Sequence, residues 1–241
     1  MTIHAAGGDG GAAQAAPVAP VAPVAPVAPV APDAHVHDLL RLRDPRCLEW
    51  NAAAPDWAAA ALAAAPWVVV RRAAAPPGSI AVGVRGARRS QRAAAWVRCD
   101  QVAERLGPEA LRAGARRVPA ARGALPALRS LLEVERAWGV GGPARWGPGG
   151  SVGFELATGH PAVHADSDLD LVVRCAAAPP PALARDWLLA LPTRAPSRID
   201  VVLEWPQGGA ALREYAGGGS YLLRSAAGAQ LCPAAAGVGE R

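Results

Sequence analysis

Apolar and polar positions alternate most sharply between residues 166 and 204. Read as a strand, Asp166-Ser167-Asp168-Leu169-Asp170-Leu171 puts Asp168 and Asp170 on one face and turns Leu169, Leu171 and Val173 into a core. Arg198-Ile199-Asp200-Val201-Val202-Leu203-Glu204 is a second strand-like run, its apolar stretch broken by Asp200. Between them Pro179-Pro180-Pro181 stops the first strand and starts a helix predicted over 182–191, so the segment reads as a βαβ-like unit. Upstream, Pro126 opens a helix with Leu128, Leu131, Leu132 and Val134 on one face. Trp67–Arg72 and Ile80–Arg85 read as strands joined by a turn around Pro77-Gly78, and Asp56 as the cap of an alanine-rich helix ending before Pro66. Residues 108–122 are expected to begin helical and turn loop-like, and 207–215 to form a closing helix.

The pattern gives an α/β chain of the α+β kind. A tail over 1–33 repeats proline at every third position from Pro17 to Pro32, as a solvated polyproline II spacer does. A smaller N-terminal α/β domain is expected over 34–122, a second domain built around the βαβ-like unit over 123–231, for which the resemblance given below implies a mixed sheet and the catalytic role, and a flexible end over 232–241.

Composition changes this picture little. Apolar residues are 51% of the 241, but alanine dominates and aromatics are 5%, so Leu, Val and eight Trp residues must make the core. All 25 basic residues are Arg, and the net charge is +5, which suits a polyanionic partner. The arginines are spread without the aromatic interleaving of a single-strand binder, so a phosphate-rich small substrate explains the sign without nucleic acid. Cys47, Cys99, Cys175 and Cys232 lack metal-ligand spacing and are expected as free thiols in a reducing cytoplasm. With no apolar run of about 20 residues and no signal peptide, no membrane partner is expected.

The chemistry sits in the alternating stretch. Two carboxylates aimed at one point repel unless a cation lies between them, so Asp168 and Asp170 suit a hard divalent ion such as Mg2+, with Asp200 as a third ligand. Trp146-Gly147-Pro148-Gly149-Gly150-Ser151 reads as a turn whose Gly150 and Ser151 bring backbone N–H groups and a hydroxyl to an anion. After the second N-terminal strand, Gly86–Arg92 is a basic cluster: with Arg85 it either grips phosphates through Arg89 and Arg92 or forms a solvated turn. His35 and His37 read as part of a polar strand or cap, His160 and His164 as incidental loop residues, and Asp166 as a turn residue.

Gly-Ser, Asp-x-Asp on a strand and one more Asp on the next strand resemble the nucleotidyltransferase superfamily of polymerase beta, in which the loop holds a triphosphate and the acids hold metal. A closer resemblance runs over roughly residues 35–231. Trp146–Gly159, Ser167–Leu171, Arg198–Glu204, His37–Leu40, Ala81–Gly86 with Arg89–Arg92, and Pro126–Leu131 resemble phosphoribosyl-dephospho-CoA transferase, the holo-acyl-carrier-protein synthase of malonate decarboxylase. The resemblance implies a nucleotidyltransferase-like catalytic domain. It also implies transfer of the 2'-(5''-phosphoribosyl)-3'-dephospho-CoA group from 2'-(5''-triphosphoribosyl)-3'-dephospho-CoA to a serine of the acyl-carrier subunit, releasing diphosphate. Asp168 and Asp170 match that family's essential acids. The proline-rich tail and the residues after Leu231 depart from its pattern. Rival readings are a nucleotidyltransferase that adenylylates a small molecule or protein from ATP, an Arg-rich nucleic-acid-binding module, and a scaffold needing no metal.

Overall fold

The structure, a computed structural model, describes residues 33–233; the proline-rich repeat and residues 234–241 lie outside them. The first half is a six-stranded sheet. β1 (Leu39–Leu42), β2 (Glu49–Trp50), β3 (Trp67–Val70), β4 (Ser79–Arg85), β5 (Arg92–Arg98) and β6 (Val102–Leu106) lie in the order β2-β5-β4-β3-β1-β6, and every neighbouring pair is antiparallel. Helix α1 (Ala58–Ala64) covers one face through Leu62, over Leu40, Val68, Val82, Val84 and Val97. The expected cap Asp56 is not used: Trp57 holds the N-cap position, with no side-chain cap bond.

A short connector follows: α2 (Pro108–Leu111), a 3-10 turn (Arg112–Arg117) and α3 (Ala120–Gly123). Then come α4 (Pro126–Trp138), β7 (Trp146–Pro148), α5 (Gly150–Thr158), β8 (Leu169–Arg174), α6 (Pro181–Leu189) and β9 (Ile199–Trp205). β10 (Gly208–Ala211), α7 (Leu212–Ala216), β11 (Tyr221–Ser225) and β12 (Gly228–Cys232) close the chain. The second sheet has the order β12-β11-β10-β9-β8-β7 and is mixed: β8 and β9 are parallel, and the other pairs antiparallel. The parallel pair needs a crossover, which α6 supplies.

The period-two reading of β8 and β9 holds. Leu169, Leu171, Val173, Ile199, Val201 and Leu203 face one core with Leu128, Leu131, Val134 and Trp138 of α4. Trp138 stacks edge-on to Trp146 at 4.8 Å and donates its indole N–H to the Trp187 carbonyl at 2.9 Å. This aromatic burial replaces the bulk that alanine cannot supply.

The C-terminal expectation needs correction. Residues 208–211 are a strand paired antiparallel with β9, and only Leu212–Ala216 is helical. Gly208 and Gly209 disfavour a helix start, and a neighbouring strand edge was free to pair. Cys232 likewise ends a strand, so order extends past Leu231.

Two things join the sheets. Leu39 and Trp67 of the first sheet pack with Leu111 of α2, Phe154 of α5 and Ala162. Beside them lies buried charge: fully buried Asp38 accepts from Arg174 at 2.8 Å and from Arg105 at 3.2 Å, and Arg174 also reaches the Val36 carbonyl and Glu109. Removing one partner leaves the other charged, buried and unpaired. Asp38→Ala is therefore expected to lower unfolding stability by about 3–5 kcal/mol in urea titrations, and Arg41→Ala, whose pair with Glu104 is exposed, by less than about 1 kcal/mol.

Candidate active site

Where the two halves meet, they enclose a cleft of about 390 Å³. One wall is first-sheet: Leu39, Val69, Gly83, Arg85, Arg89 and Arg92. The other is second-sheet: Gly150, Ser151, Asp168, Asp170 and Asp200. All eight residues singled out from the sequence thus line one cleft.

Strand register explains the acidic wall. In the parallel pair, Asp170 lies directly opposite Asp200, with Leu169 opposite Ile199 and Leu171 opposite Val201. Side chains at matched positions share a face, so the leucine and isoleucine that fill the core force both aspartates toward the cleft. Asp168 lies just before β8, two residues from Asp170.

The Gly-Ser segment is a strand-to-helix junction rather than a free turn. Gly149 caps α5, its N–H donating to the Asp170 carbonyl at 2.9 Å, and Gly150 and Ser151 begin the helix. Gly150 has φ +52°, and a Cβ there would fall on the Asp170 carboxylate, 2.8 Å from its Cγ. Only glycine meets both demands. The first turn of α5 therefore opens onto the carboxylates, with N–H groups that no helical carbonyl can satisfy.

Charge in the cleft is unbalanced on both walls. Asp170 keeps a face open to water, yet enclosure by protein, then repulsion from Asp200 and Asp168, raises its carboxyl above the ordinary range. Arg85 is pushed down to about 10, first by burial and then by Arg92. Burial and Arg89 lower Arg92 likewise. Arg89 comes only within 3.9 Å of Asp168, and Asp200 is paired with Arg198 at 2.9 Å outside the cleft lining.

Three hard oxygen donors with excess negative charge fit a divalent cation such as Mg2+, and the facing arginines fit a polyphosphate. Among the described residues no group of three His, Cys, Asp or Glu side chains is gathered closely enough to hold a metal ion by itself. An open, repelling set is what a cation sharing its shell with substrate oxygens requires.

Sequence reasoning missed three features. His164 and Asp166, set aside as loop residues, line the cleft. His37 lines it as well and is bonded to Glu204 at 3.0 Å, while Glu204 also receives Arg72. Glu155 accepts a bidentate pair from Arg122 and the N–H groups of Ala162 and Val163. Each partnership spans halves or loops, and no local spacing signals it. The four cysteines are free, none lining the cleft.

An α+β fold with acids and arginines facing each other across a cleft suits an enzyme that acts on a phosphate-bearing substrate. The particular family follows from comparison. Residues 35–108 match the N-terminal domain of phosphoribosyl-dephospho-CoA transferase MdcG, and residues 110–235 its C-terminal domain. The chain belongs to the phosphoribosyl-dephospho-CoA transferase family.

Among its relatives, a phosphoribosyl-dephospho-CoA transferase of Pseudomonas putida (strain W619) is 46% identical over 81% of this chain and 91% of that protein. One from Pseudomonas aeruginosa is 45% identical over 78% and 86%, and one from Azotobacter vinelandii 41% identical over 81% and 95%. No solved structure matches. No helix of the described residues is long and apolar enough to cross a membrane.

Two substitutions test the site's electrostatics. Because the folded Asp170 pKa lies above the unfolded one, its ionised form costs stability at neutral pH, and that cost declines as pH falls through the folded value and is gone only below the unfolded one. Asp170→Asn should raise the neutral-pH Tm by about 1–3 °C, a gain limited by the open cleft, and the gain should shrink toward pH 4. Gly150→Ala should lower stability by about 1–3 kcal/mol through the left-handed φ and the collision with Asp170; a denaturation midpoint equal to wild type would refute that reading.

Proposed function

We propose that this enzyme transfers the 2'-(5''-phosphoribosyl)-3'-dephospho-CoA group from its triphosphate precursor to a serine of the acyl-carrier subunit of malonate decarboxylase, releasing diphosphate, in the cytoplasm. The observation that carries the reading is the two-walled cleft: three carboxylates from one half face three arginines from the other. A triphosphate donor needs both walls, whereas a nucleic-acid module or a scaffold has no use for converging carboxylates.

The residues take the following roles. Arg85, Arg89 and Arg92 hold the β- and γ-phosphates as charged hydrogen-bond donors. Gly150 and Ser151, at the start of α5, offer backbone N–H groups and a hydroxyl to the same oxygens. Asp168, Asp170 and Asp200 would hold Mg2+, which when bound neutralises charge on the phosphoryl oxygens and the leaving diphosphate. The serine oxygen attacks the α-phosphorus in line and the bond to the β-phosphate oxygen breaks, so the enzyme supplies position and charge rather than a nucleophile. Burial of Arg85 strengthens its pull on the departing diphosphate.

Intact-mass analysis of apo acyl-carrier subunit incubated with enzyme, Mg2+ and the triphosphate donor tests this. The expected result is a gain equal to one phosphoribosyl-dephospho-CoA group, absent with Asp168→Ala/Asp170→Ala. An adenylyl-sized gain from ATP, with none from the dephospho-CoA donor, would overturn the donor assignment.

A further inference from the structure

Serine attack requires that the hydroxyl proton go somewhere, and in the transfer reading above the cleft carboxylates are given to the cation. His37 is placed to take it. It is the one non-glycine residue with positive φ among the described residues, at +73°. Such a backbone is costly for a histidine, and it carries the ring out of the strand direction of β1 to line the cleft. The conformation is held at both ends: the His37 N–H donates to the Val70 carbonyl at 3.0 Å, and Asp38 beside it is locked by Arg174 and Arg105.

The ring's orientation is fixed chemically. Its Nε2 lies 3.0 Å from Glu204 Oε1, and Arg72 binds the other Glu204 oxygen. Burial alone would raise Glu204, but His37 and Arg72 together bring it below the usual carboxylate range, so it is an acceptor only. Nε2 then carries the hydrogen of that bond, and Nδ1 makes no hydrogen bond among the described residues; acting as a base, the ring would use the lone pair that Nδ1 carries in the neutral tautomer. Carboxylate, imidazole and cleft therefore stand in the order of a base and its orienting group.

We infer that His37 is the general base of the transfer, oriented by Glu204. The inference rests on the transfer reading above. In the step, His37 Nδ1 takes the serine hydroxyl proton as the serine oxygen bonds to the α-phosphorus. The bond from that phosphorus to the diphosphate breaks, its electron pair leaves with the diphosphate, and the imidazolium later loses the proton to solvent. The charged groups around the ring are Glu204 on β9, Arg71 and Arg72 after β3, Arg224 on β11 and, across the cleft, Asp170 on β8.

The test compares wild type with His37→Asn, because asparagine tolerates the left-handed backbone but takes no proton. Donor binding by calorimetry and carrier modification by intact mass are measured across pH. We expect donor affinity within about threefold of wild type, kcat lower by about 10²–10⁴-fold, loss of the acid limb an imidazole base imposes, and partial rescue by added imidazole in His37→Ala. Glu204→Gln, which no longer fixes the tautomer, should lower kcat more than donor affinity. Retained kcat in His37→Asn, or a loss matched by lost donor binding, would overturn the inference and leave the transfer reading intact. Wild-type enzyme that binds the donor but modifies no carrier would overturn the transfer reading, and this one with it.

Discussion

The buried pairing of Asp38 with Arg174 is the constraint on which the site depends. The cleft has no wall of its own within either sheet: its arginines come from β4, β5 and the turn between them, and its acids from β8, β9 and the residues just before β8. Their separation is therefore set by how one sheet sits on the other. An apolar contact such as Leu39 and Trp67 on Phe154 resists separation but tolerates sliding, because dispersion is non-directional. Arg174 does not. It leaves β8 four residues after Asp170 and bonds at once to Asp38, the Val36 carbonyl and Glu109, so a slide of one sheet over the other breaks directional bonds in a dry interface.

The same interface concentrates unfavourable electrostatics in the cleft. Like charges gather on each wall, and the opposite walls touch weakly, with Arg89 only nearing Asp168. A sequence selected for stability alone would close these charges into pairs, as it does a few residues away at Glu204 with Arg72 and at Asp38 with Arg174. The contrast sets charge that ties the two halves together apart from the unpaired charge that, in the proposed reaction, would meet phosphate and cation. Arg198, outside the cleft, pairs with Asp200 at 2.9 Å.

Legibility in the sequence followed the range of the interaction. The acid positions were readable because a strand repeats every two residues, and Leu169, Leu171, Ile199 and Val201 fix which face each aspartate takes. The Gly150-Ser151 segment was readable as a place where the backbone needs glycine but not as the start of a helix, since Gly149-Gly150 is a poor helix signal and the conformation is imposed by the Asp170 carboxylate lying over it. The strand at 208–211 was lost to the same local weakness: it exists because β9 offers an edge. His37 and Glu204 lie 167 positions apart and Asp38 and Arg174 136, so no spacing rule links them.

Helix α5 ties these scales together. At its N-terminus Gly150 seats the Asp170 carboxylate; one turn and a half later Glu155 collects Arg122 and the N–H groups of Ala162 and Val163, and Thr158 receives the His160 N–H. The loop so anchored continues through His164, whose N–H meets the Ser167 hydroxyl, and ends on Asp168. Nine residues of helix span about 13 Å and hold their length rigidly. Both ends of the loop that delivers Asp168 are thereby referenced to one rigid element: its start is pinned to the helix's last turns, and its end enters β8 next to the residue the helix's first turn touches. The approach of Asp168 to Asp170 against their repulsion is thus held by Glu155, a buried carboxylate outside the cleft lining: burial alone would raise its pKa, but Arg122 and two backbone N–H groups lower it, so it stays ionised and the loop bound at neutral pH.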